Sequence, residues 1–195
     1  MNRLCTSVLL LMFSFVVANA NHTHSSKYKG QESRLIKSLS QEDIVELKKG
    51  GGWGLAKAAE LNGFPGPSHL LEMKNKINLT STQEAKIKVI FKQMKKDAIV
   101  LGKKLILLEH QLNDSFSHKS ITDKKLERYV QDIMDVRSKL RLVHLSTHLQ
   151  TPNILTQKQI DLYNGLRGYY KNVDPCKNIP EGYDVAMWKK HNSCN

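Results

Sequence analysis

The chain has 195 residues, 40% hydrophobic and 25% charged, with 30 Lys and Arg against 18 Asp and Glu and a formal charge of +12. Its most apolar run, from Val8 to Val17, is too short to hold in a bilayer, and no comparable run follows, which argues against a membrane-spanning helix in the mature chain. Such a basic balance would suggest nucleic acid inside a cell, but an exported chain points instead to acidic protein segments or anionic surfaces, or to a lysine-rich face kept for solubility.

Residues 1–20 read as a secretory signal. Arg3 lies in a short basic start, the apolar run follows, and Ala18-Asn19-Ala20 forms a small-x-small cleavage site. Residues 21–39 are polar and loosely patterned, as in a flexible arm. Ser40-Gln41-Glu42-Asp43 is a capping box for a short helix through Lys49, and Gly50-Gly51-Gly52 ends it. A second short helix fits 53–61, stopped by Asn62-Gly63. Pro65-Gly66-Pro67 forces a turn, after which Ser68 can cap a helix to about Asn78.

From Thr80 to about Phe116, Ile87, Phe91, Met94, Ala98, Leu101, Leu105, Leu108 and Leu112 alternate spacings of four and three, a sustained heptad stripe. Such a helix reaches roughly 55 Å, so another must run back along it. The polar stretch 113–120 supplies the reversal. Thr122 caps the return helix, striped by Leu126, Tyr129, Ile133, Val136, Leu140 and Val143. Pro152 ends that helix, and a last one carries Ile160, Leu162, Tyr163 and Leu166 before Gly168. The expectation is an all-α fold over 40–169, a long antiparallel hairpin with short flanking helices. A thin hairpin closes its core against those helices or a second copy, so a homodimer is expected. In the tail, 170–195, Cys176 and Cys194 most simply pair with each other in an oxidising compartment, adding about 3 kcal/mol. There is no Cys-x-x-Cys for redox work, and Cys176, His191 and Cys194 make only three zinc ligands.

Leu-Thr-x-x-Gln occurs twice, with Leu79, Thr80 and Gln83 and again with Leu155, Thr156 and Gln159. Each copy is a helix start: the threonine hydroxyl accepts from a free N–H of the first turn, glutamine reaches back to the threonine N–H, and the leucine staples the entry. With this duplication on a signal-bearing helical hairpin, the chain resembles the Spy/CpxP family of periplasmic chaperones, stress regulators and related heavy-metal sensors. The likeness covers residues 28–169. It is most specific at 54–67, with Ala58, Ala59, Glu60, Asn62, Gly63, Pro65, Gly66 and Pro67, and at 141–149, with Arg141, His144 and His148. Members of this subgroup commonly carry methionine where Trp53 stands here.

The resemblance implies a periplasmic location and a cradle-shaped dimer. Its concave face would hold unfolded or misfolded envelope proteins without nucleotide, and a sensor-kinase domain is a possible further partner. Apolar contacts from Phe91, Met94, Leu101, Phe116 and Met134, with charge from Lys92, Lys95, Lys96, Lys103 and Lys104, fit such a role, although an apolar residue of this kind is more often core than binding surface.

A metal site is the alternative. His144 and His148 stand one turn apart, and His69 and Met73 repeat the spacing, so the four together would suit copper, nickel or zinc. Arg137 and Arg141 on the same face oppose a cation. No cofactor is required by the chaperone reading. No catalytic pattern emerges: Ser115, Ser117, Ser120 and His118 lack an orienting acid, and Glu42 and Asp43 read as helix-cap charges.

Overall fold

A computed structural model of the chain describes residues 25–169, 176 and 184–191. The expected signal, its cleavage site and Cys194 lie outside the described residues. Cys176 is disulfide-bonded. The chain divides between Glu32 and Ser33 into two units. Of the first, the described residues 25–32 form largely exposed turns, with the Gln31 N–H on the Tyr28 carbonyl at 2.9 Å. The second unit, from Ser33 onward, carries the α-helices.

Its regular structure among the described residues is helical: α1 (Gln41–Lys49), α2 (Lys57–Glu60), α3 (Pro67–Glu72), α4 (Ser81–Ser117), α5 (Asp123–Gln150), α6 (Gln157–Leu166) and α7 (Val185–His191), with a 3-10 turn at Pro152–Ile154. The caps explain most starts. Asp43 N–H donates to Ser40 Oγ while Ser40 N–H donates to Asp43 Oδ2, closing the first box, and Gly50 ends α1 in the left-handed region at φ 66°. Thr122 caps α5 through the Lys125 N–H.

Two expected helices are shorter than the pattern suggested. The segment 53–61 is helical only at Lys57–Glu60, because Trp53 (φ 43°) and Gly54 (φ 68°) both take left-handed backbone and hold 53–56 in turns. Ser68 lies inside α3 rather than capping it. Pro67, with φ preset and no N–H to lose, takes the first helical position after Gly66. That helix stops at Glu72, and Asn78 turns the chain at φ 52°.

α5 returns along α4. Met94 Sδ accepts from the Thr147 hydroxyl at 3.4 Å, and Gln83 in the first turn of α4 donates to the carbonyl of Ile154 just past α5. One core takes Ala98, Leu105 and Leu108 of α4, Ile133, Val136 and Leu140 of α5, Ile44 and Leu47 of α1, and Ile36 and Leu39 before it. A second core collects Leu70, Ile77, Ile87 and Tyr163 at the other end of the pair. The heptad stripes are therefore mostly core, as their spacing demands.

The two Leu-Thr-x-x-Gln boxes form as expected, and they also meet. Gln83 Nε2 donates to Gln159 Oε1 at 2.9 Å and Gln159 Nε2 to Gln83 Oε1 at 3.0 Å, while each amide still accepts from its own threonine N–H at 3.0 Å. Gln159 further donates to the Asn78 carbonyl at 3.1 Å. Each glutamine thus caps its helix and clamps α4 to α6. Gln83→Ala is expected to cost about 1–2 kcal/mol, and adding Gln159→Ala much less than its own single cost, because one pairing is lost twice over. Thermal melts of both single variants and the double check this; additive losses would show the boxes to be independent caps.

Candidate functional site

A cleft of about 490 Å³ opens where the Gly50–Gly54 loop, α2, the start of α3, the first half of α4 and the C-terminal end of α5 converge. Gly50 and Gly66 follow from close approach. Gly50 packs so tightly on α4 that a Cβ would come within 2.9 Å of the Lys95 carbonyl oxygen. At Gly66 a Cβ would stand 2.9–3.0 Å from the His148 ring and 3.2 Å from Glu60 Oε2. Trp53 and Phe91 supply aromatic walls, Lys49, Lys57 and Lys95 stand exposed at the rim, and Met94, His69, His144 and His148 reach in from α4, α3 and α5.

Glu60 anchors one side. Its Oε1 accepts from the Tyr163 hydroxyl at 2.7 Å and the Tyr169 hydroxyl at 2.8 Å, with Arg167 Nε at 3.3 Å and His69 Nδ1 at 3.3 Å. His148 Nδ1 lies 3.7 Å from Oε2. Each tyrosine is itself fixed: Gly66 N–H donates to Tyr163 at 3.4 Å, and Arg167 Nη2 to Tyr169 at 2.9 Å. Burial disfavours the charged carboxyl, yet the two phenol hydrogen bonds, joined by the attraction of His69 and His148, outweigh it and hold Glu60 below the ordinary carboxylate range. The same contact works in reverse on Tyr163, where burial and then the neighbouring carboxylate push the phenol far up. This network joins α2, α3 and the end of α6 around a charge kept ionised.

His148 Nδ1 lies 2.8 Å from the Phe64 carbonyl, which only accepts, so Nδ1 carries a hydrogen and donates it. His144 is 4% exposed, and burial, then repulsion from His148, lowers its pKa; Glu46 and a main-chain hydrogen bond at Gly51 pull the other way. A contact that favours the protonated ring is one in which the ring donates. The Nε2 of His144 is buried with no hydrogen-bond partner.

The expected metal set is only partly assembled. His69, His144 and His148 line the cleft, but Met73 packs on the second core beside Leu70 and Ile77. The thioether that does reach the cleft is Met94. Among the described residues no three His, Cys, Asp or Glu side chains come together as ion ligands.

The expected client contacts also separate. Met94 is buried and Leu101 packs against the first core, which sets both apart from the exposed client contacts; Phe91 is a half-buried wall of the cleft with Lys95 over its ring at 5.8 Å. Phe116, Met134, Lys92, Lys96, Lys103 and Lys104 are exposed. Beyond these, sequence reasoning missed an outer stripe. Val89, Val100 and Leu107 on α4 are all more than half exposed, at heptad-compatible spacing with Lys96 and Lys103 between them. Leu142 and Leu149 do the same beside Met134 on α5. The stripe was legible as a second set of spacings of three, four and seven behind the core stripe. Glu60, Tyr169 and Arg167 were also missed, and only the spacing of Tyr163 and Arg167, one turn apart, hinted at them.

No family model matches the chain, and neither a curated protein nor a solved structure matches it significantly.

Proposed function

We propose that the protein is a periplasmic, ATP-independent holding chaperone that binds partly unfolded envelope proteins along α4 and α5. The observation behind this reading is the outer stripe, in which Val89, Val100 and Leu107 alternate with Lys96 and Lys103. Large apolar side chains kept in water cost nothing to uncover and bind whatever apolar segment a client exposes, and lysines between them attract acidic segments from a distance. Neither contribution requires a nucleotide, and both are available on a surface rather than in a closed pocket. Two copies pairing their helical hairpins would turn such faces into the cradle that a Spy/CpxP likeness implies.

The test is light scattering from a denatured client diluted into the mature protein. Suppression that weakens with added salt, and that disappears in Val100→Asp/Leu107→Asp while the helical circular dichroism is unchanged, is the expected result. Suppression that survives both substitutions would remove the stripe from the mechanism. A hydrodynamic mass of one chain at working concentration would remove the cradle. The metal-sensor alternative is not adopted, because Met73 stands outside the cleft and three rim lysines oppose a cation.

A further inference from the structure

We propose that the cleft beneath the Gly50–Gly54 loop is a binding site for a small hydroxylated aromatic carboxylate, separate from the surface that holds clients. Four observations carry this. The cleft has the volume of a small-molecule site, about 490 Å³, and lies between packed elements that are already formed. Trp53 and Phe91 line it with aromatic rings, and Lys95 stands over the ring of Phe91 at 5.8 Å.

Its charge is unbalanced toward anions. Of its two carboxylates, Glu60 is taken by Tyr163, Tyr169 and Arg167, and Glu46 accepts the Trp53 main-chain N–H at 2.7 Å. Lys49 and Lys95 at the rim form no ion pair with a carboxylate among the described residues. Among the lining residues stands an unmet ring nitrogen, the buried Nε2 of His144. A buried polar atom without a partner costs stability, and a ligand hydroxyl, which can donate to that nitrogen or accept from it, recovers the loss. A carboxylate for the lysines, a ring for Trp53 and Phe91, and a hydroxyl for His144 are the three parts of one small molecule.

The experiment titrates 4-hydroxybenzoate, benzoate and indole-3-carboxylate into the mature protein in an isothermal calorimeter. A saturable heat of binding with Kd near or below about 1 mM is expected for a ligand of this size. The hydroxylated acid should bind most tightly. Lys95→Glu, an exposed rim change that leaves the core untouched, should weaken binding about tenfold, and His144→Phe should remove the preference for the hydroxyl.

No saturation by any of the three acids up to about 10 mM overturns the proposal, as does binding that neither substitution alters. A response to zinc chloride that depends on His144, with none to the acids, also overturns it, in favour of an ion. None of these readouts involves client aggregation, so the site stands or falls apart from the chaperone reading.

Discussion

Glu60→Ala will lower the melting temperature by about 6–12 °C, the equivalent of roughly 3 kcal/mol in a chain of this length. Removing the carboxylate strands more than one partner. The Tyr163 hydroxyl, on a side chain with no exposure, loses its acceptor, the Tyr169 hydroxyl loses its own, and Arg167 keeps only Tyr169. A buried donor left without a partner costs more than an average hydrogen bond contributes, and Arg167, about one-third exposed, recovers part of its loss from water. Tyr163→Phe should cost less, about 1–2 kcal/mol, since Glu60 still has Tyr169 and Arg167. The double variant should fall short of the sum by more than about 1 kcal/mol.

The pH dependence has a definite sign. The folded-state pKa of Glu60 is depressed below its ordinary value of 4.5, so its contribution is complete above that value and is lost as the pH falls through the folded pKa. The gap between wild type and Glu60→Ala should therefore be constant near neutrality and close in acid. His144 acts in the same direction but earlier. Its pKa is depressed by burial, so the unfolded chain takes up the proton first as the pH falls below 6.5. Replacing it with Phe should flatten stability over that interval, whereas a gap at Glu60 that persists into strong acid would show that the carboxylate is not the group responsible.

How much of this was legible in the sequence depended on whether the relevant contact was local. The boxes at Ser40, Thr80 and Thr156 were readable because a cap and its partner stand three residues apart. The long helices were readable because core burial repeats along one stripe, and Ile87, Ala98, Leu105, Ile133, Val136 and Leu140 are all buried as that stripe requires. Pattern failed where tertiary contact overrode it. Trp53 sits in left-handed backbone that a bulky residue rarely takes, held there by Nε1 on Asp43 Oδ1 at 2.7 Å, Arg137 over its ring at 4.9 Å and its own N–H on Glu46. None of those partners is visible in the residues adjoining it.

The cleft shows the same division. The His144 and His148 pair was recognisable from its helical spacing, and the structure does bring His69 to it. Met73 keeps the i, i+4 relation to His69, its N–H on the His69 carbonyl at 2.9 Å, but its side chain packs on the second core instead of entering the cleft. Glu60 lies about a hundred residues from Tyr163 and Tyr169, and nothing local marks it as other than a surface charge on a short helix. Even the reciprocal pairing of Gln83 with Gln159 was hidden, although both residues were singled out, because two identical motifs carry no sign that they touch.

Gly102→Ala will destabilise the protein by about 2 kcal/mol, against the usual direction of such a change in a helix. In the interior of an exposed helix, alanine gains up to about 1 kcal/mol over glycine by restricting the unfolded chain. Gly102 is buried in the middle of α4, directly under the end of α1. A Cβ there would overlap the Leu47 carbonyl oxygen, and it would lie 3.0 Å from the carbonyl carbon and 3.3 Å from Leu47 Cα. These are main-chain atoms that cannot swing aside, so α1 must back away from α4 and loosen Leu47, Ile44 and the core they share with Ala98 and Leu105. Gly165 in α6 is the matching control. It is exposed, nothing lies within 4 Å of an added Cβ, and Gly165→Ala should leave stability unchanged or raise it by up to about 1 kcal/mol. The displaced helix also carries the Gly50–Gly54 loop, so Gly102→Ala should open the cleft and weaken binding of the aromatic acids, while Gly165→Ala should not. Equal and upward shifts in the two melting temperatures would refute the close seating of α1 on α4.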